Sequence, residues 1–343
     1  MAEMTAGDHW VVIQWFGTAC CCRCRHCSLG DEHRICRVPF GRAKKVAERF
    51  LDWRNEHGIT DLSVHITTGY SCWSDEAMDA IVFNKRIGAT SWQYIPSNGT
   101  RFFPRDDLRR RLAERMELGV TTIGLTFYGL RDLHDAWAGR RGDFDHDLLL
   151  AKLAAEVGLN RQETVFISKS GIQDLPELLP VLDALPGQSN RDICPWDYRG
   201  RGKQLEEERV TAAQVRALPE QIRRAINPRC KSEAEWVAGI EAGDCPRRDK
   251  RAYLISVWED NIDWLESEDC RDILESIRIT DERLNNAIPS LPALAAVYGE
   301  SAGERLYSLR DLEWKWTDLY LQEHPEIDVS GRFSDLGSVI LRQ

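Results

Sequence analysis

Residues 18–28 read TACCCRCRHCS and contain five of the eleven cysteines of this 343-residue chain. Cys20, Cys24 and Cys27 follow the spacing Cys-x3-Cys-x2-Cys, which supplies three thiolates from one loop. Three thiolates can ligate three irons of a [4Fe–4S] cluster and leave the fourth iron open to another ligand. An open metal position is typical of a catalytic rather than a structural site. The stretch therefore predicts an iron–sulfur centre with Cys20, Cys24 and Cys27 as its ligands.

Composition limits where the chain works and what it binds. The first ten residues, MAEMTAGDHW, lack the basic start and apolar stretch of a secretory signal, so we expect a cytoplasmic protein in which a metal site is favoured over disulfides. The formal net charge of −10 argues against a general affinity for nucleic acid or anionic lipid. No apolar run approaches the roughly 20 residues that span a bilayer. We therefore expect neither a nucleic-acid nor a membrane partner.

Short β-rich runs alternate with runs of helical period six times along the chain. Strands are predicted at 10–16, 61–67, 92–95, 120–127, 164–168 and 192–195. Helices are predicted at 42–57, 75–84, 105–118, 145–157, 175–185 and 211–226. This alternation predicts an α/β fold with parallel strands and right-handed crossovers, either open or barrel-like. In such folds, sites form at the loops that follow the carboxyl ends of the strands.

The pattern changes after residue 226. The segment 227–343 carries five of the twelve tryptophans, one predicted strand at 252–257 and several predicted helices, notably 308–323. We place a domain boundary near Asn227, so that 1–226 forms the first domain. The second, 227–343, is predicted to be a mostly helical cap or substrate domain.

Several motifs occur in the order found in the radical S-adenosylmethionine (SAM) superfamily, which this chain resembles over residues 10–226. The family's Gly-Gly-Glu-type loop corresponds to TTGY at 67–70, and its Thr-Asn-Gly-Thr motif to SNGT at 97–100. The stretch from 126 to 142 resembles the fourth-strand region of sulfatase-maturing and peptide-modifying members, and YRGRG at 198–202 resembles the segment after the sixth strand. The resemblance implies a partial (β/α)6 TIM-like barrel.

The resemblance also implies a chemistry and a set of SAM contacts. The open iron would chelate SAM, and one electron from the cluster would cleave it to methionine and a 5′-deoxyadenosyl radical that abstracts hydrogen from the substrate. His26, before the last cysteine, corresponds to a neighbour of the adenine. Tyr70 replaces the customary glutamate, so the backbone carbonyls of Thr68 and Gly69 are the expected acceptors for the SAM ammonium group.

Three further SAM-binding candidates follow from the same resemblance, each beside a purely structural alternative. Asn98 is either a SAM contact or a turn residue, because Asn-Gly is itself a turn signal. Thr126 and Ser168 are either neighbours of the ribose hydroxyls or packing residues of their strands. Arg140 or Arg141 could pair with the SAM carboxylate, although a surface charge is the favoured interpretation.

The cysteines leave alternatives open. Cys24, Cys27, His33 and Cys36 have a spacing plausible for tetrahedral zinc, which would make the chain a zinc-stabilised, non-catalytic binding protein. Cys21 and Cys22 are interpreted as dispensable for the cluster.

In the second domain, Cys230 and Cys245 loosely match the opening of the auxiliary-cluster domains called SPASM and Twitch. Independent thiols are favoured there over a second [4Fe–4S] cluster, and Cys194 and Cys270 are unassigned.

The leading functional hypothesis is an enzyme that modifies a small molecule, such as a sugar, nucleoside or aminocyclitol, in antibiotic-type biosynthesis. The first strand is predicted to begin by residue 10, which leaves no N-terminal peptide-recognition domain. The alternative within the same superfamily is a peptide-modifying maturase. Both require an electron donor such as flavodoxin or ferredoxin. No catalytic side chain is assigned, and the reaction outcome is left open.

Overall fold

Strands and helices alternate along the first two thirds of the chain in the computed structural model, which describes residues 9–28, 37–69, 73–244, 250–328 and 339–341. The strands of this part are β1 (His9–Gln14), β2 (Leu62–Thr67), β3 (Tyr94–Pro96), β4 (Thr122–Phe127), β5 (Asn160–Phe166) and β6 (Ser189–Cys194). The helices are α1 (Phe40–Glu56), α2 (Asp75–Arg86), α3 (Arg105–Leu118), α4 (Arg131–Ala138), α5 (Asp143–Glu156), α6 (Leu175–Asp183), α7 (Ala212–Arg216) and α8 (Glu220–Ala225).

Two parallel arrays are formed by these strands. One sheet has the order β3-β4-β5-β6, with every neighbouring pair parallel. In the other sheet β1 pairs in parallel with β2. The prediction of an α/β fold with parallel strands is therefore confirmed. In the described residues β2 and β3 belong to different sheets, so these two strands are not paired with each other.

Each of the two sheets has one face covered by helices. Ile123, Leu125 and Phe127 of β4 are buried in one apolar cluster with α3, α5 and α6. Val11 and Ile13 of β1 are buried in a second cluster with α1. Because strand side chains alternate, the intervening residues point to the opposite face, which we call the inner face. It carries polar side chains, among them His65, Thr67, Thr126, Gln162 and Thr164.

Two element boundaries differ from the sequence prediction for physical reasons. Strand β5 begins at residue 160 rather than at the predicted residue 164. Its first residues are polar, but the charged side chains among them are buried and pair with each other. Arg161 donates to Glu163 over 2.9 Å, and both side chains are buried. The predicted helix 211–226 is two short helices, since Pro219 caps the start of α8 and cannot continue α7.

The C-terminal segment contains β7 (Lys231–Ser232), α9 (Glu233–Glu241), β8 (Lys250–Ser256), α10 (Ile262–Ser267), α11 (Cys270–Ala287), α12 (Leu291–Tyr298), β9 (Leu306–Tyr307), α13 (Leu309–Glu323) and β10 (Val339–Leu341). Helices α9, α12 and α13 share an apolar cluster of their own, which includes the fully buried Trp316. Its neighbour Trp314 lies instead against the Arg199 guanidinium, 4.1 Å from the ring centroid.

Strand β8, from the predicted second domain, joins the sheet of the first. It pairs in parallel with β1, with Gln14 opposite Ser256, and the Ser256 hydroxyl donates to Gln14 Oε1 over 2.9 Å. Strand β10 adds to β8 in the antiparallel sense. The segment therefore contributes to the sheet as well as to a helical layer, while the boundary at residue 226 stays a prediction.

Candidate functional site

The cysteine loop, residues 18–28, follows β1 and is held by backbone hydrogen bonds to three other segments. The Cys21 amide donates to Gly99 O after β3 over 2.8 Å. The Arg23 amide donates to Ala138 O at the end of α4 over 2.8 Å, and Cys27 O accepts from the Arg201 amide over 3.0 Å. Segments after β1, β3, β4 and β6 thus meet at one edge, where sites form in parallel sheets.

Two glycines make this close approach feasible. At Gly99, whose φ is +80°, an added Cβ would lie 2.2 Å from Cys20 Sγ. At Gly139, whose φ is +64°, it would lie 2.6 Å from Arg23 O. Any larger residue would push the cysteine loop away, and both positions have a left-handed backbone that favours glycine.

The thiols of the loop interact with one another. Cys22 is buried and lies between Cys20 and Cys24, and its Sγ is 3.6 Å from Asp143 Oδ2. The hydrogen bond from the Cys22 thiol lowers the pKa of Cys20 to about 7 and lowers the pKa of Cys24 as well. A thiolate is the form that ligates a metal, so this donor set fits a thiolate-bound cluster. Cys27 is half-buried, and its amide donates to Cys24 O over 3.2 Å.

The arrangement of Cys22 was not anticipated from the sequence, which gave it no role. Burial and contact with two predicted ligands make it a thiol donor beside the site. The assignment of Cys20, Cys24 and Cys27 as the ligands remains a prediction. For the zinc alternative, His33 and Cys36 lie outside the described residues.

His26 lies in an aromatic pocket. Its ring centroid is 4.7 Å from that of Phe166, 5.1 Å from Tyr128 and 6.4 Å from Trp137. Burial lowers the pKa of His26 to about 4, so the imidazole is neutral near pH 7. Its Nδ1 is buried without a hydrogen-bond partner among the described residues, which suits a contact with a bound ligand.

Tyr128, which sequence reasoning did not single out, reaches the predicted ligands directly. Its hydroxyl donates to Cys24 Sγ over 3.5 Å, and the residue is 4% exposed. Burial and the nearby Cys24 thiolate raise the pKa of Tyr128 above its ordinary value, so the phenol stays protonated as a donor. The sequence signal that could have identified Tyr128 was its position in the stretch from 126 to 142, which resembles the fourth-strand region of the family.

Behind the cysteine loop lies a buried polar network that sequence reasoning also missed. The carboxyl groups of Asp143 and Asp147 flank His134 Nε2 at 3.4 Å and 3.8 Å. Arg140 donates to Asp143, so the Arg140 side chain is turned into this network. These groups come from α4, α5 and the turn between them, and only folding makes them neighbours.

The two carboxyls differ in their protonation. Burial opposes ionisation of Asp143, but hydrogen bonds from His134 and Arg140 lower its pKa below the ordinary value. Burial and the neighbouring Asp143 charge raise the pKa of Asp147 well above the ordinary value. Asp143 is therefore the anion that pairs with Arg140, and Asp147 is the neutral acid.

Asn98, a predicted SAM contact, has its side-chain amide in this same network. Its Nδ2 donates to Asp147 Oδ2 over 3.0 Å and to Thr126 O over 3.3 Å. Asn98 thereby ties the loop after β3 to β4 and α5, which is a positioning role that the sequence did not predict.

The other predicted SAM residues lie at three places, after β2, on β4 and after β5. Thr68 and Gly69 follow β2, and Gly69, with φ +47°, lies so close to the Phe16 ring that a Cβ would be 2.4 Å from it. Thr126 is half-buried on the inner face of β4. Ser168 is buried, and its hydroxyl lies 3.2 Å from that of Ser170.

A crevice opens where β2 and β3 meet without a ladder, and it continues to the predicted SAM residues. Its lining includes His65, Thr67 and Gly69 on one side and Tyr94 and Pro96 on the other. Burial lowers the pKa of His65, which is therefore neutral.

The remaining described cysteines lie apart from the cysteine loop. Burial raises the pKa of Cys194, at the end of β6, and raises the pKa of Cys230 to about 12. Cys270 is buried in the apolar cluster of α1 and β1. Cys245, the second cysteine of the loosely matched auxiliary motif, lies outside the described residues, as do Tyr70, Cys36 and Cys72.

No protein-family model matches the chain. Fe-coproporphyrin III synthase of Methanosarcina barkeri is 26% identical over 125 residues, a match that covers 36% of this chain and 29% of that protein. It is a radical SAM family member. The chain resembles the radical SAM enzymes, as its motifs predict.

Three solved structures align with parts of this chain at low sequence identity. Streptococcus suis SuiB aligns with a TM-score of 0.42 at 15% identity, covering 74% of this chain and 49% of SuiB. The protein anSMEcpe, solved with AdoMet and the Kp18Cys peptide, aligns with a TM-score of 0.43 at 10% identity, covering 69% and 62%. The radical SAM methyltransferase TsrM from Kitasatospora setae, solved with cobalamin and a [4Fe–4S] cluster, aligns with a TM-score of 0.34 at 13% identity, covering 66% and 40%.

The chain thus spans about half the length of SuiB and less than a third of the curated relative. In the described part of the chain, no helix is both long and apolar enough to cross a bilayer.

Proposed function

We propose that the chain is a radical SAM enzyme in which Cys20, Cys24 and Cys27 hold a [4Fe–4S] cluster. The observation that carries the proposal is the cysteine loop itself, which lies at the carboxyl edge of the strands with two thiols of lowered pKa. When bound, the cluster would supply one electron to SAM, whose cleavage gives methionine and a 5′-deoxyadenosyl radical that abstracts a hydrogen atom from the substrate. The finer fold proposed is a partial (β/α)6 barrel with the inner face as its lumen.

The residues around the predicted ligands would tune them and exclude water. The Tyr128 hydroxyl donates to the sulfur of Cys24, which stabilises the thiolate. The Cys22 side chain lowers the pKa of the same thiol. The aromatic walls formed by Trp137 and Phe166 shield the pocket of His26. A shielded site protects a reactive radical from side reactions.

SAM would bind across the loops that the resemblance points to. We propose that the carbonyls of Thr68 and Gly69 accept from its ammonium group, and that the neutral His26 borders its adenine. The Nδ1 of His26 supports this placement, because no partner for it occurs in the described part of the chain. Asn98 would act by holding its loop, since its amide is engaged with Asp147.

The proposed substrate is a small polar molecule, such as a sugar, nucleoside or aminocyclitol, modified in specialised biosynthesis. The polar inner face supports this class, because Thr126 and Thr164 are opposite each other in the adjacent strands β4 and β5 and place two hydroxyl groups on it. Amide and hydroxyl groups recognise hydroxylated ligands by matched hydrogen bonds. A peptide substrate is the competing outcome of the test.

The test is anaerobic purification followed by assays of iron content, reductive SAM cleavage and product formation. We expect about four irons per chain and release of 5′-deoxyadenosine with dithionite. Serine at Cys20 should abolish both, serine at Cys21 should not, and alanine at the remote Cys270 serves as the matched control. Retention of iron and SAM cleavage when Cys20, Cys24 and Cys27 are all alanine would refute the proposal.

Candidate substrates then separate the two substrate classes. Small polar molecules and peptides are each incubated with reduced enzyme and SAM, and products are identified by mass. Consumption of a peptide without any turnover of small molecules would replace the proposed substrate class with that of a maturase.

A further inference from the structure

The outward side of the cysteine loop carries positive charge in a chain of net charge −10. Residues 18–28 contain Arg23 and Arg25 and no acid, and residues 139–142 read GRRG. The two segments touch, because the Arg23 amide donates to Ala138 O and a Cβ on Gly139 would lie 3.0 Å from Arg23 Cβ. Arg23, Arg25 and Arg141 are all exposed. We call these three residues the arginine patch.

Among the described residues, no carboxylate neutralises the charge of the patch. Arg140 is paired with the buried Asp143. By contrast, Arg23, Arg25 and Arg141 form no ion pair with any carboxylate that the structure describes. The Arg25 guanidinium lies 4.7 Å over the Trp137 ring, a stacked placement that leaves its N–H edges for another acceptor.

An exposed aromatic ring borders the patch. Phe102 is 49% exposed, and it is held by the Arg140 guanidinium 4.3 Å from its ring centroid. The Phe102 ring also lies 3.9 Å from the Cβ position of Gly142. An exposed aromatic beside arginines has the composition of a protein interface, where these residue types are enriched.

The position of the patch in the sequence fixes its distance from the predicted cluster ligands. Arg23 directly precedes Cys24, and Arg25 directly follows it. A protein that binds these side chains would therefore lie close to the predicted cluster ligands. Such closeness to the predicted cluster ligands suits the entry of electrons.

We propose that the arginine patch is the docking surface for a small acidic protein that carries single electrons. The inference rests on the proposed function, since it is the cluster of that function that would accept the electron. The donor is oxidised by one electron and the cluster is reduced by one, with no bond made or broken. Complementary charge would steer the donor to this face despite repulsion from the acidic remainder of the enzyme.

The experiment compares two reductants on the same variants. Reductive SAM cleavage is driven either by dithionite or by an acidic flavodoxin with its reductase and NADPH. The variants are R141E alone, R23E/R25E, and the triple variant. The control matched to R141E is Lys152→Glu, which makes the same charge change at an exposed position in α5. The conservative triple Arg→Lys variant keeps the charge.

We expect the triple Arg→Glu variant to lose at least about tenfold in flavodoxin-driven cleavage at low salt, with dithionite-driven cleavage within about twofold of wild type. Raising the salt concentration should narrow the difference, because exposed charges are screened. The Lys152→Glu and Arg→Lys variants should behave as wild type. R141E keeps the test valid if changes inside the cysteine loop disturb folding, since it lies outside that loop.

Two results would overturn the inference. Equal losses with both reductants would place the patch in the reaction itself, and unchanged flavodoxin-driven rates would place the donor elsewhere. If wild-type enzyme with iron bound fails to cleave SAM even with dithionite, the proposed function fails, and this is distinguishable because no variant is involved.

Discussion

Replacing Gly99 by alanine should separate cluster binding from folding stability. Gly99 has φ +80°, and an alanine there adopts a left-handed backbone at a cost of about 1–3 kcal/mol. The added Cβ would lie 2.2 Å from Cys20 Sγ but 3.5 Å from Cys20 Cβ, which is an ordinary contact. Rotation of the Cys20 side chain would relieve the clash cheaply. The thiol would then leave its predicted metal-binding position while the fold survives.

Gly88 provides the matched control. Its φ is +76°, nearly the same as that of Gly99, and nothing lies within 4 Å of an added Cβ. Gly88→Ala therefore imposes the same backbone strain without any contact to the cysteine loop. The difference between the two variants isolates the effect on Cys20.

The assay combines urea unfolding of the metal-free proteins with iron content after anaerobic reconstitution. We expect both variants to lose about 1–3 kcal/mol of unfolding free energy. Only G99A should fall well below the iron content of wild type. The reasoning is refuted if G99A binds as much iron as G88A, because Cys20 would then not be a ligand or would not need its present rotamer.

Three other predictions concern the surroundings of the site. Asp143→Asn should lower the free energy of unfolding in urea by about 3 kcal/mol, because it leaves the Arg140 guanidinium without its anion. Asp147→Asn should lower it by less than about 1 kcal/mol, because that carboxyl is already neutral. Equal losses for the two variants would contradict the assigned protonation. The pKa of His26 is lowered from 6.5 to about 4, so its contribution to stability is present above pH 6.5 and is lost as the pH falls toward 4. His26→Phe should therefore weaken the pH dependence of Tm in that range, and an unchanged slope would count against a buried neutral imidazole. Alanine at both Cys230 and Cys245 should leave iron content and SAM cleavage largely intact, and loss of about four irons would instead indicate an auxiliary cluster.

The sequence by itself determined the alternation of strands and helices and the position of the cysteine loop after the first strand. Both depend on local information, namely residue periodicity and the spacing of three thiols within eight positions. The spacing of these three cysteines along the chain does not depend on how the other residues fold. For the same reason the motifs at 67–70 and 97–100 could be aligned with strand ends before their geometry was known.

Only the tertiary structure decided which distant groups surround that loop. The contact of Tyr128 with Cys24 and that of Asp143 with Cys22 join residues more than a hundred positions apart. The addition of β8 to β1 likewise depends on strand pairing that no local pattern encodes. Buried polar residues are the hardest to predict, because the low cost of burying Arg161 depends on a carboxylate that only the fold brings beside it.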